Sequence, residues 1–336
     1  MHSAKILLIM ENVSAIKAID LTKRFGKRVA VDRLNIDIHP GELYALLGDN
    51  GAGKTTTLNM LTTLLKPSAG EFYICGYNGI THSEETKGVF SVVSQDVAIY
   101  NELTAYENLQ FIASLYGLEK EKAQVRIQEL LAQADLSDRA NDLVSTFSGG
   151  MQRKLTIAIA LLHKPAVLFM DEPTVGLDPA ARRQIWATLS NLREEGVTIL
   201  LTTHYLEEAE ILADRIGIIR QGKLVAEGTI DELRDRIKAI RNVEVRLDKR
   251  LAIEEINTKI AHAHSILNMQ VSYDNVHNTI LFVQSEETKN GTKLISCLEH
   301  VLSWLKEENM TFTSFSTNEP SLEEVFLAMT KQAVTV

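Results

Sequence analysis

Cysteine is nearly absent from this sequence: Cys75 and Cys297 stand far apart and neither belongs to a CxxC pair. That excludes a disulfide framework and a cysteine-built metal knot, and it suits a reducing compartment. Proline is scarce, and no low-complexity segment or internal repeat is visible. Long apolar runs are missing too. Stretches such as "LTIAIALL", from Leu155 to Leu162, are far too short to cross a bilayer. Positive charge is in deficit, with 35 Lys and Arg against 44 Asp and Glu and a net charge of −9. Nucleic acid is therefore not the expected partner, because neutralising phosphates needs a basic face. The opening "MHSAKILLIM" has one lysine and no small-residue cleavage site, and "MEN" from Met10 reads like a second start. The first nine residues are read as an upstream extension or the beginning of a strand, not as a signal peptide.

What is present is an ordinary globular composition, 45% apolar and 24% charged, over 336 residues. That length suggests two domains. Strand patterns at "AIKAIDLTKRF", "VAVDRLNIDIH" and "ELYALLG" open the chain. "KTTTLNMLTTLL" reads as a helix ended by Lys66-Pro67. From Thr104 to about Ala140 the period is helical with no strand between. Alternation then resumes with the helix "GGMQRKLTIAIALLHK", the buried strand "AVLFMDEP", a helix opened by Pro179, the strand "TILLTTH" and the helix "YLEEAEILA". Apolar strands alternating with helices predict an α/β fold with a mostly parallel core sheet. "RIGIIRQGKLVAEGT" has hairpin character with Gln221-Gly222 as its turn. Near residue 240 the character changes to a βαββαβ order, the ferredoxin-like split-βαβ plan, followed by a short helix "SLEEVFLAMTK". The expected division is 1–235, with a helical block at about 96–150, and 236–336 as a small α+β domain.

Chemistry concentrates first at "LLGDNGAGKTTTLNML". Gly48, Gly53, Lys54 and Thr55 fit GxxxxGK[ST] between an apolar strand and a helix. Glycines let successive backbone N–H groups, from Asp49, Asn50, Gly51 and Ala52 through Thr56, curl around phosphate oxygens, and the helix N-terminus faces the same anion. Lys54 is the cation for the outer phosphates and the Thr55 hydroxyl can ligate Mg²⁺. "AVLFMDEP" places Asp171 and Glu172 at the end of a buried strand, where parallel sheets bind ligands. Asp171 can reach Mg²⁺ beside Thr55, and Glu172 can polarise an attacking water as general base.

Further stretches follow in order. "FSGGMQRK" from Phe147 closely resembles the "LSGGQ" signature of the ABC ATPases, a branch of the P-loop NTPases. "VVSQD" holds Gln95 at the Q-loop position, "VGLDP" holds Asp178 at the D-loop position, "LLTTH" holds His204 at the switch-histidine position, and Phe25 in "LTKRFGK" sits where the family has an adenine-stacking aromatic. The resemblance covers roughly residues 14 to 235. It implies an ABC-type fold: a mostly parallel core sheet, an antiparallel β subdomain and a helical subdomain. It implies ATP and Mg²⁺ as cofactors, with hydrolysis to ADP and phosphate. It also implies a homodimer in which Ser148-Gly149-Gly150 of one copy caps the γ-phosphate bound by the other. Gln95 is expected at the metal or the attacking water, His204 at the γ-phosphate orienting Glu172, and Asp178 coupling the two sites. Phe147, Met151 and Asp49 depart from the consensus Leu, Gln and Pro, but no catalytic position does.

The chain has one ATPase unit and no span of its own, so a separate integral membrane permease is the expected partner. "NELTAYENL" is similar to the half of ABC domains that receives a coupling helix, and "EPSLEEVFLAMT" resembles the tail of ATPases in the drug-resistance and antibiotic-export branch. These imply a peripheral subunit on the cytoplasmic face of a membrane, driving export of a drug, antibiotic or lipid-like compound. The alternative is an ABC ATPase acting on nucleic acid or ribosomes. Against it, the chain from Arg241 onward holds nine Lys and Arg against thirteen Asp and Glu. His262, His264 and His277 show no ordered metal-ligand spacing.

Overall fold

The computed structural model describes residues 14–95, 99–236, 242–267, 269–284, 294–318 and 321–332. The expectation for the first nine residues lies outside these. The chain divides into two compact units, with the break after Ile230.

The first unit begins with β1 (Ile16–Phe25) and β2 (Arg28–Ile38), then β3 (Leu43–Leu47), α1 (Lys54–Leu61), β4 (Ala69–Ile74), β5 (Tyr77–Asn78), α2 (Ser83–Lys87) and β6 (Phe90–Val93). The helical layer follows: α3 (Ala105–Leu115), α4 (Lys120–Gln133) and α5 (Gly149–Ala160). Then come β7 (Val167–Asp171), α6 (Pro179–Glu194), β8 (Thr198–Thr203), α7 (Leu206–Leu212), β9 (Arg215–Arg220) and β10 (Lys223–Gly228), after which α8 (Ile230–Arg236) opens the second unit. An antiparallel sheet has the order β2-β1-β4-β5, and the central sheet has the order β10-β9-β3-β8-β7-β6. Strands β9, β3, β8, β7 and β6 run parallel, and β10 is antiparallel to β9.

Every residue of β3, β7 and β8 is buried. This is what continuous apolar runs dictate when helices cover both faces of a parallel sheet. In register, Leu47 faces Thr203 and Asp171 faces Thr202. The next residues, Gly48, Glu172 and His204, therefore leave the sheet along one edge. The β9–β10 hairpin turns at Gln221 (φ 48°) and Gly222 (φ 79°), the two left-handed positions that a twist-matched two-residue turn requires.

One helix differs from expectation. α1 stops at Leu61, not at Lys66-Pro67. The Thr62 hydroxyl donates to the Leu58 carbonyl (2.9 Å) and Thr63 turns left-handed (φ 62°). A β-branched residue whose hydroxyl competes for a helix carbonyl, followed by a left-handed one, ends the helix before the proline does.

In the helical layer, Thr104 and Glu107 form a reciprocal capping box that starts α3. Buried Asn108 donates to the carbonyls of Tyr100 and Thr104, both at 2.9 Å.

The second unit holds β11 (Asn242–Leu247), α9 (Ile253–Leu267), β12 (Met269–Asp274), β13 (Thr279–Gln284), α10 (Leu294–Glu307), β14 (Phe312–Asn318) and α11 (Leu322–Gln332). Its antiparallel sheet has the order β12-β13-β11-β14, which is the ferredoxin-like plan. Val243, Val245, Ile256, Ile280, Phe282 and Trp304 form its core, with Phe282 and Trp304 edge to face at 5.6 Å. His262 contacts Glu308 at 2.7 Å and His277 contacts Asp274 at 2.6 Å. Among the described residues no group of three His, Cys, Asp or Glu could hold a metal.

Candidate functional site

The loop between β3 and α1 is fixed by its surroundings. A Cβ on Gly48 would lie 2.4 Å from the Ile219 carbonyl oxygen, and one on Gly53 (φ 114°) would lie 2.7 Å from that of Ala30. Behind the loop, the Gly222 amide donates to the Ala52 carbonyl (2.7 Å), so the β9–β10 turn braces it. Nothing in the sequence pattern of that hairpin signalled this support. The first-turn amides of α1 have no acceptor within the helix, so they form an anion seat with the loop.

Lys54 is buried. Its ammonium donates to the carbonyls of Gly48 (2.8 Å) and Asp49 (3.2 Å) and stands 3.3 Å from Glu172 Oε1. The Thr55 hydroxyl donates to Asp171 Oδ1 (3.3 Å), and Thr202 donates to the same oxygen. His204 Nδ1 stands 3.1 Å from Glu172 Oε2. Glu172 itself is left-handed (φ 45°), and its N–H is held by the Thr202 carbonyl (3.0 Å) and hydroxyl (3.2 Å). A non-glycine residue in that conformation persists only when its neighbours impose it.

Glu172 and His204 open on a cleft of about 360 Å³ whose walls include Arg28, Asn50, Thr56 and Gln95; Asp171 is buried and does not line it. Lys54, Thr55, Gly51 and Gly53 share it. Arg28 was not foreseen; it sits at the start of β2, three residues after Phe25. Phe25 is outside the lining, half exposed, with Lys23 Nζ 5.2 Å from its ring centroid.

Ser148, Gly149, Gly150 and Asp178 also do not line this cleft. Ser148 caps α5, its hydroxyl accepting from the Met151 amide (3.3 Å). Gly150 packs against α6, where a Cβ would lie 2.9 Å from that of Ala181. Asp178 caps α6, one oxygen accepting from the amides of Ala180 and Ala181 at 2.9 Å.

The ABC transporter domain family matches residues 31–175. The linearmycin resistance ATP-binding protein LnrL of Bacillus subtilis is 36% identical over 315 residues, 94% of this chain and 98% of that protein. The chain belongs to the ABC transporter family. The daunorubicin/doxorubicin resistance ATP-binding protein DrrA of Streptomyces peucetius is also 36% identical, over 94% of this chain and 92% of its own. Among solved structures, the dimeric post-hydrolysis ATP-binding cassette MJ0796, bound to ADP and Pi, matches with a TM-score of 0.57 at 29% identity. It covers 64% of this chain and 98% of that one. As an ABC ATP-binding subunit the chain binds and hydrolyses ATP, and subunits of this kind work with a membrane permease. The transporter reading fits these relatives; the alternative of an ABC ATPase on nucleic acid or ribosomes does not.

Proposed function

We propose that this subunit hydrolyses ATP between two copies of itself, with the phosphate loop of one copy facing the Ser148 turn of its twin. The observation that carries the reading is the division of labour in the first unit. Lys54, Thr55, Glu172 and His204 gather at one cleft with Asp171 paired behind Thr55, while Ser148 and Gly149 stay exposed outside it. That turn's free helix N-terminus suits an anion brought by another protomer. In each site the loop amides and Lys54 bind the β- and γ-phosphates. A phosphate on Lys54 competes for the ammonium that now neighbours Glu172, leaving that carboxylate to accept a proton from water. His204 orients Glu172, and Gln95 lies beside the attacking position. Phe25, exposed three residues before Arg28, is assigned to the adenine.

The oxygen donors fit Mg²⁺: the Thr55 hydroxyl and the Asp171 carboxylate are already paired, and Gln95 lines the same cleft as Thr55. When bound, Mg²⁺ would neutralise charge on the phosphates. The ATPase domain is assigned to 1–235 and the accessory domain to 236–336, a boundary five residues past the break between the compact units, with the second domain as a dimer-stabilising appendage.

The names of the relatives support export of a drug or antibiotic, and a peripheral position on the cytoplasmic membrane face. Among the described residues no helix is long and apolar enough to cross a membrane. Exposed Tyr100, Phe111 and Leu115 give the helical layer an apolar patch suited to a permease helix.

Replacing Glu172 by Gln tests the reading. ATP binding is expected to persist while turnover falls by about 10²–10⁴-fold, and the protein should sediment as an ATP-dependent dimer. Wild-type turnover in that variant would remove Glu172 as the base.

A further inference from the structure

Arg153 lies one turn into α5, the helix that starts at the Ser148 turn, and only 4% of it is exposed. A buried guanidinium needs partners for a rigid fork of donors. Here they are three carbonyl oxygens from two other parts of the chain. Nε donates to Pro173 (2.7 Å), Nη2 to Asp171 (3.3 Å) and Nη1 to Ser94 (2.5 Å). Asp171 and Pro173 are the two neighbours of Glu172. Ser94 is the residue before Gln95.

Burial pushes the guanidinium down to about 10, opposed by the nearby charges of Glu208 and Asp171, so it stays cationic at neutral pH. Glu208, on α7 just beyond His204, is itself fully buried and accepts from Thr174 (2.8 Å) and Trp186 (3.2 Å).

We infer that Arg153 is a positioning residue for hydrolysis, holding the backbone on both sides of Glu172 and the segment leading to Gln95 as one unit with the helix of the Ser148 turn. The strained backbone of Glu172 gives the reason. Its N–H is fixed by Thr202, and Arg153 donates to the carbonyls on either side of it with one planar group. Lys carries the same charge on a single nitrogen and cannot span the same three oxygens in that geometry. The same fork connects the γ-phosphate turn offered to the twin with the base of the protomer's own site. Movement of α5 on dimer closure is thereby transmitted to Glu172 and Gln95. None of these contacts touches the nucleotide seat around Lys54, so binding and turnover separate.

The inference rests on Glu172 being the base, and Glu172→Gln is assayed alongside to keep the two apart. Turnover and nucleotide affinity are measured for Arg153→Met and Arg153→Lys in the full chain, with thermal unfolding. The expectation is that Arg153→Met lowers kcat by about 10–100-fold, the scale of a small misplacement of catalytic groups. KM and ATP affinity should stay within about twofold, and Arg153→Lys should fall between this variant and wild type. Wild-type kcat in Arg153→Met, with Glu172→Gln inactive, overturns the inference. So does a loss of affinity in step with kcat, which marks a purely architectural role. If Arg153→Met does not fold, Arg153→Lys decides: reduced kcat at unchanged affinity supports the inference, and wild-type kcat overturns it. An active Glu172→Gln instead removes the base assignment beneath it.

Discussion

Two glycine turns open helices in the first unit, and they are built for different surroundings. The loop before α1 is enclosed from behind: β2, β9 and the Gly222 turn press on Gly48 and Gly53, and Lys54 is buried against its carbonyls, while Asp49, Asn50 and Gly51 stay exposed. The turn before α5 is open. Ser148 and Gly149 are exposed, and a Cβ on Gly149 would meet nothing nearer than Leu177 Cδ2 at 3.6 Å. It carries no lysine, and its serine is occupied by an ordinary cap. The first turn is backed by its own protomer, with Lys54 held against it, as a phosphate seat requires. The second leaves Ser148 and Gly149 exposed at a helix start, and in the dimer we propose it supplies the other part of the seat. In the dimer we propose, the same local chemistry, glycines at a helix start, would meet the γ-phosphate from two sides.

Removing the cation of the enclosed seat has the largest expected effect. Lys54→Ala should weaken ATP binding at least about tenfold and lower turnover by about 10²–10³-fold, because a buried charge-assisted contact to the reacting phosphate is lost. Equilibrium binding of a fluorescent ATP analogue, with steady-state phosphate release, checks both. Unchanged affinity would show that the enclosed loop is not the seat.

Much of this contrast can be read along the chain because its signals are local. Gly48, Gly53 and Lys54 lie within a few residues of one another, and the apolar run before Asp171 marks a buried strand. Gln221-Gly222 names its own turn, and Asp178-Pro179 marks its own helix start. The ferredoxin-like order of the second unit follows from alternating periods in the same way. The parts that could not be read depend on partners distant in sequence. Gly222 supports Ala52 across 170 residues, and Arg153 meets Ser94 and Pro173 from either side. A surface basic residue and a buried three-carbonyl fork look alike as letters. Arg28 borders the cleft only because β2 folds back over β1. The early end of α1 is a competition between helix and hydroxyl that the apolar period conceals. The left-handed backbone of Glu172 has no sequence mark at all, since nothing in "MDEP" demands it.

A smaller effect reports on how the open turn's helix is anchored at its other end. His163, just past α5, stacks on Tyr116 at 4.4 Å and lies 3.2 Å from the Phe90 carbonyl. Burial holds its imidazole below the usual 6.5, partly offset by that carbonyl. The unfolded chain therefore binds the proton more readily, and stability present above pH 6.5 is lost as pH falls through the folded value. His163→Gln should flatten the decline of melting temperature with pH below 6.5, whatever its effect at neutral pH. An unchanged slope would assign that decline to other groups.

The most direct test of the divided site mixes two inactive proteins. Lys54→Ala lacks the enclosed seat; Gly149→Asp places a carboxylate in the open one. In a heterodimer one site inherits both defects, while the other joins an intact Lys54 loop to an intact Ser148 turn. ATP turnover should appear on mixing that neither variant shows alone. A mixture that stays silent, although differently tagged subunits are recovered together, would contradict a site shared between two copies.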